Sequence, residues 1–197
     1  MMTVTHQQAK GRDTVPFAIS LRGVEKTFGA VRANHNIDLD IYTGDIHGII
    51  GENGAGKSTL VSILYGFYQA DAGSISVFGE EKKLRSTADA IAAGIGMVHQ
   101  HFMLVPTFTV LENIILGHEG TDSLAKGFEA ARIELAQLAT RYGLDVDLDA
   151  VIENFPVGLQ QRVEILKALY RGANILILDE PTGVLTPQET DQLFDIL

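Results

Sequence analysis

The sequence predicts an α/β fold organised around a phosphate-binding loop, and three observations predict it. Residues 46–60 read as buried strand, glycine loop and helix: the apolar run IHGII, then GENGAGKS, then apolar residues at Leu60, Ile63, Leu64 and Phe67 at helical spacing. Residues 175–180, ILILDE, read as a short strand suited to the centre of a parallel sheet, with Asp179 and Glu180 at the carboxyl end where open α/β sheets place their ligands. Ahead of the loop, FAISLRGV (17–24) and NIDLDIY (36–42) alternate apolar and polar residues, which predicts small antiparallel strands.

The glycine loop carries the most chemistry. Gly51, Gly54 and Gly56 let the backbone curl until successive N–H groups point inward, and the helix behind them adds partial positive charge. An anion belongs there. In the pattern GxxxxGKS, Lys57 reaches the outer phosphates of a nucleotide and the Ser58 hydroxyl ligates the accompanying magnesium. A packing turn is the plainer alternative for any glycine-rich corner, and the motif alone does not name a reaction. The acids at 179 and 180 add to it: either they are solvated acids at a strand end, or Asp179 holds the magnesium, directly or through water, while Glu180 polarises an attacking water.

Composition bounds the rest. The 197 residues allow one domain or two small ones, and 46% hydrophobic content supports a core. A net charge of −10 argues against a general nucleic-acid surface, and no Lys/Arg run exceeds two residues. Without cysteine there are no disulfides or thiolate metal sites. No apolar run approaches the ~20 residues of a membrane span, so membrane contact is expected only through a partner. Residues 1–16 are polar, lack the core of a secretion signal and read as a loose tail.

Along the chain, Phe28 falls in the turn-like segment 27–30, where its ring is either exposed for stacking on a base or an ordinary core residue. SISVF (74–78) reads as a further strand. Residues 86–93 read as a helix capped by Ser86 and closed by Gly94, and 95–99 as a buried strand. From Gln100 the pattern turns helical: Thr109 to Glu112 is a capping box, 128–142 a helix closed by Gly143, and 163–170 a helix ended by Gly172. Thr186 and Glu189 form a second capping box with Pro187 at the first helical position, and Leu193, Phe194, Ile196 and Leu197 give that helix an apolar face. The acids at 145, 147 and 149 miss the glycine and glutamate of a calcium loop, and His99, His101 and His118 lack zinc-site spacing.

Taken together the motifs resemble the nucleotide-binding subunit of an ATP-binding cassette (ABC) transporter, over about residues 17–197. GENGAGKST matches the Walker A motif, ILILDEPT the Walker B motif with its glutamate, Gln100 the Q-loop, VGLQQRVEI the signature position and Phe28 the aromatic A-loop position. GDIHGIIGENGAGKSTL, HQHFMLVPTFTVLENIILG and VGLQQRVEILKALYRGA are similar to importers of nucleosides and simple sugars that carry two cassettes in one polypeptide. The resemblance implies a P-loop NTPase (RecA-like) core from 17–99 and 171–197 with an antiparallel β subdomain, and an inserted helical subdomain at 100–170. It implies ATP and magnesium as ligands. Phe28, Gly51, Glu52, Asn53, Gly54, Ala55, Gly56, Lys57, Ser58 and Thr59 would hold the nucleotide, with Val157, Gly158 and Gln160 offered to a partner cassette's site. Ser58, Gln100 and Asp179 would serve the metal; Glu180, Lys57 and Gln100 the hydrolysis. The implied partners are a second cassette and a transmembrane permease touched by residues 101–119, whose apolar residues are otherwise core, with the chain peripheral on the cytoplasmic face of the membrane and no nucleic acid bound.

Two departures stand out. Pro156 replaces the signature serine, removing a hydroxyl and an N–H, and Gly183 to Thr186 replaces the SALD segment. The family's following strand, switch histidine and second cassette are not within these 197 residues, so the expectation is an incomplete cassette with little hydrolysis alone. The rival readings are a soluble ABC-type ATPase acting on ribosomes or DNA, and a nucleotide-binding switch. No long coiled coil follows Gln100 and no guanine-reading NKxD occurs, which disfavours a DNA-repair member and a GTPase.

Overall fold

The computed structural model describes residues 3–4, 17–117, 124–183 and 185–197; His118, Glu119, Val184 and most of the tail lie outside them. Two compact units are present, residues 1–95 and 96–197.

The first unit is built on a four-stranded antiparallel sheet of order β3-β2-β5-β6, comprising β2 (Phe17–Phe28), β3 (Val31–Tyr42), β5 (Ala72–Val77) and β6 (Glu80–Glu81). The alternation seen in the sequence is real. Ile19, Leu21 and Val24 on β2, Leu39 on β3 and Ile75 and Val77 on β5 are buried, and apart from buried Ala18 their immediate neighbours are half-buried or exposed. Strands β2 and β3 run on beyond the alternating segments into one long hairpin that closes with Phe28 opposite Val31. Register shifts interrupt the pairing near Val24 and Lys26. Phe78 is not in a strand: it sits in the β5–β6 turn at φ 49° and is exposed, because the next residue, Gly79, completes the reversal.

Helix α1 (Lys57–Leu64) buries Leu60, Ile63 and Leu64. Phe67 lies past its end, since Gly66 turns left-handed and its α-carbon is held against the Ser86 carbonyl. The strand expected at 46–50 shrinks to β4 (Ile49–Ile50), paired antiparallel with β1 (Thr3–Val4). Ile46 and Ile50 are each 62% exposed, because β1 is the sole described strand bonded to β4 and nothing described covers that face. Ser86 caps α2 (Thr87–Ala92) by accepting from the Asp89 N–H, and Gly94 ends it.

In the second unit β7 (Ile95–Val98) is fully buried beside β8 (Ile175–Leu178). Strand β8 is only half-buried, which corrects the expectation of a sheet centre: β7 is its single described neighbour. The core gathers Val110, Leu111 and Ile114 from α3 (Val110–Ile115), Ala131 and Leu135 from α4 (Leu124–Tyr142) and Val163, Ile165 and Leu166 from α5 (Val157–Tyr170), with Leu193 from α6 (Pro187–Ile196). Both capping boxes form as expected, at Thr109/Glu112 and Thr186/Glu189. Backbone and hydroxyl bonds from Thr109 hold the Glu112 carboxyl below its ordinary pKa, and those from Thr186 do the same for Glu189. On α6 only Leu193 is buried; Phe194 and Leu197 are exposed. Asn113 is buried with its amide fully used, bonding the backbone of Val105 and Thr109 and so pinning the loop ahead of α3. Asp149 grips the Arg132 guanidinium through both oxygens.

Candidate nucleotide site

In the first unit the phosphate loop closes on itself. Ala55 N–H donates to the Glu52 carbonyl at 3.1 Å, and Gly54 and Gly56 take φ 82° and 89°. Gly51 does not need a left-handed conformation. Gly56 has no room for a side chain, since a β-carbon there would lie 2.2 Å from the Ala33 carbonyl oxygen. Helix α1 opens on this glycine with no side-chain cap, so the N–H groups of Lys57, Ser58 and Thr59 have neither a helical acceptor nor a capping oxygen. Donors converging at a helix start, an exposed Ser58 hydroxyl and a lysine are the set that a magnesium-bound phosphate chain requires, and the residues therefore fit one. The Lys57 ammonium is folded onto the loop, donating to the Gly51 carbonyl at 2.6 Å and the Glu52 carbonyl at 3.0 Å. Glu52 and Asn53 are exposed.

Phe28 stands at the hairpin tip, 41% exposed, so it is not the ordinary core residue that the sequence also allowed. Its ring meets Tyr68 edge-on with centroids 5.1 Å apart, and the Lys26 ammonium lies 5.4 Å from its centre. Asp71 fastens this tip, accepting from Lys26 Nζ and from the Thr27 N–H at 2.7 Å each. The lysine bond first, then the amide, draws the Asp71 carboxyl below its ordinary pKa. Sequence reading missed Tyr68, Lys26 and Asp71, although the aromatic pair Phe67-Tyr68 just past the helix was a visible signal.

In the second unit Gln100 follows β7 and Asp179 and Glu180 follow β8, so the pairing of the two strands brings them together. The Asp179 N–H extends the ladder to the Val98 carbonyl at 3.1 Å. Gln100 Nε2 donates to Glu180 Oε2 at 2.9 Å, and both residues are exposed. Glu180 has φ 49°, a conformation rare for a residue with a side chain and a mark of a constrained turn. Buried Gln161, another residue the sequence did not single out, donates to the Pro181 carbonyl and ties α5 to the segment after these acids.

At the start of α5, Pro156 occupies the cap position and offers no side-chain bond. Val157 is exposed, Gln160 turns back to the Phe155 carbonyl at 2.9 Å, and a β-carbon on Gly158 would meet the Glu189 carboxylate. Among the described residues no group of His, Cys, Asp and Glu forms a metal cluster, and no helix is long and apolar enough to cross a membrane.

The family described as "ABC transporter" matches residues 34–183. The chain belongs to that family. A glucose import ATP-binding protein of Haloferax volcanii is 48% identical over 92% of this chain and 38% of its own length. A nucleoside import ATP-binding protein of Lactococcus lactis is 51% identical over 91% of this chain and 35% of its own. The chain thus spans little more than a third of these relatives. An ATP-binding cassette of an ABC transporter, solved in its ADP conformation, superimposes with a TM-score of 0.79 at 23% identity, covering 93% of this chain and 76% of the other. The fold is that of an ABC-type P-loop ATPase cassette with an antiparallel sheet and a helical part, as the motifs implied.

Proposed function

We propose that this chain is an ATP-binding and ATP-hydrolysing cassette that powers an importer of nucleosides or simple sugars. The observation that carries the proposal is the uncapped start of α1 behind a glycine with no room for a side chain, with Lys57 and Ser58 on its first turn. The import names of the relatives support the finer reading of the solute class. In this reading 17–99 and 171–197 act as the ATP-binding core and 100–170 as the helical subdomain, of which residues 101–119 touch the permease. The chain sits on the cytoplasmic face of the membrane, held there by the permease.

Each residue has a role in the proposal. Lys57 and the amides of residues 51–59 hold the phosphates, and Phe28, with Tyr68 at its edge, stacks on the base. Ser58 would ligate magnesium, which when bound would neutralise charge on the phosphate oxygens, and Asp179 and Gln100 carry the metal-facing roles that the family resemblance implies. Glu180 orients a water for in-line attack, and Gln100 restrains its carboxylate through the bond already present. Val157, Gly158 and Gln160 complete the site of a partner cassette. Catalysis is then positioning and charge stabilisation.

Titration with ATP and magnesium tests the core of the proposal. The chain should bind; Lys57→Ala should lose most of the affinity, whereas Glu180→Gln should keep binding and lose turnover in the assembled transporter. A folded chain without magnesium-dependent ATP affinity would refute it, and co-purification with ribosomes rather than a multispanning permease would refute the import reading.

A further inference from the structure

We propose that Asn34 positions the phosphate loop, fixing through the Gly56 carbonyl the direction in which the Lys57 N–H is presented to phosphate. This role rests on the nucleotide reading above and adds to it a residue from outside the loop.

Asn34 lies on β3 and is 2% exposed. Its Nδ2 donates to the Gly56 carbonyl at 3.1 Å, and the same oxygen accepts from the Leu60 N–H at 3.0 Å. Both lone pairs of that carbonyl are then used, one by the helix and one by a strand. The peptide group is planar and trans, so the Lys57 N–H points opposite to the Gly56 C=O. Clamping the carbonyl clamps the first amide of the anion-binding start of α1.

Strand β3 grips the same glycine a second time, because the Ala33 carbonyl occupies the place of its missing side chain. Since β3 begins at Val31, paired with Phe28, one strand joins the exposed aromatic tip to the loop lock three residues on. The cost of burying Asn34 points the same way. Its Oδ1 accepts no hydrogen bond among the described residues, in contrast to Asn113, whose amide is fully used. A buried amide with an orphaned acceptor weakens a fold relative to an apolar residue. The bond to Gly56 is what the side chain supplies.

The two roles, structural and positioning, predict opposite outcomes. Asn34→Leu removes the donor and the orphaned acceptor together; Asn34→Asp keeps the size but turns an acceptor toward the Gly56 oxygen. The parent chain and both variants would be melted thermally and titrated with ATP and ADP in magnesium. The expected result is a roughly two- to tenfold loss of affinity for both nucleotides in each variant, the range one hydrogen bond commands. Asn34→Leu should melt no lower than the parent. If the larger leucine prevents folding, Asn34→Ala, which removes the donor without adding bulk or charge, carries the test. Folded variants with parental affinity would overturn the role, as would an affinity loss present only where the melting point falls. A parent chain that binds neither nucleotide would instead overturn the nucleotide reading, and this role with it.

Discussion

Gly54 and Gly56 form a matched pair for separating conformational strain from steric exclusion. Their φ angles are 82° and 89°, so an alanine at either position carries the same left-handed penalty, about 1–2 kcal/mol. They differ in surroundings. A β-carbon on Gly54 meets nothing within 4 Å, whereas on Gly56 it lies 2.2 Å from the Ala33 oxygen and 2.9 Å from Asn34 Nδ2. Contacts under 3.0 Å are not sustained by real β-carbons, so β3 or the loop must retreat. Overpacking of that kind adds about 1–3 kcal/mol, for a total of roughly 2–5 kcal/mol at Gly56 against 1–2 at Gly54. At about 2–4 °C per kcal/mol for a chain of this size, Gly54→Ala should lower the melting temperature by roughly 2–8 °C and Gly56→Ala by more, up to ~20 °C. Scanning calorimetry reads both shifts, with a parallel ATP titration following the loop. Equal melting points for the two variants would refute the steric half of the reasoning; an unperturbed Gly54→Ala would refute the conformational half.

Acid should weaken the helical unit through its two capping boxes. Glu112 and Glu189 have folded pKa values lowered by bonds from Thr109 and Thr186, so their contribution is complete at neutral pH and is lost as pH falls through those lowered values. Melting curves between pH 7 and pH 3 should fall less steeply for the Glu112→Gln, Glu189→Gln double variant than for the parent; parallel slopes would count against the caps as the acid-sensitive groups. Pro156→Ser should act at the start of α5, supplying a capping hydroxyl worth about 0.5–2 kcal/mol and an N–H that proline lacks. The expected outcome is a higher melting temperature for the chain and stronger ATP-driven closure in the intact transporter, and unchanged values of both would refute it.

What was legible in the sequence was local. Capping boxes at Thr109 and Thr186 formed because both partners sit within four residues, and the loop from Gly51 to Ser58 formed because its turn is encoded by its own glycines. Gln100 and Glu180, eighty positions apart, were each placed from motif and strand end, yet the bond between them needed the pairing of β7 with β8. Asn34 was invisible for the same reason: an asparagine within a strand pattern has no signature that reveals which distant carbonyl it serves. Burial was misjudged where it depended on neighbours. Ile46 and Ile50 have the composition of a sheet centre, but composition does not say what lies alongside. The contacts of Tyr68 and Asp71 are not readable locally, because their partners, Phe28 for the one and Lys26 and Thr27 for the other, lie some forty residues earlier.

The left-handed turn at Glu180 sets robustness against chemistry at a single position. Glycine would relieve the backbone there at no steric cost. A library ranked by heat resistance alone would therefore enrich Glu180→Gly, a chain hardier than its parent and stripped of the carboxylate that Gln100 holds.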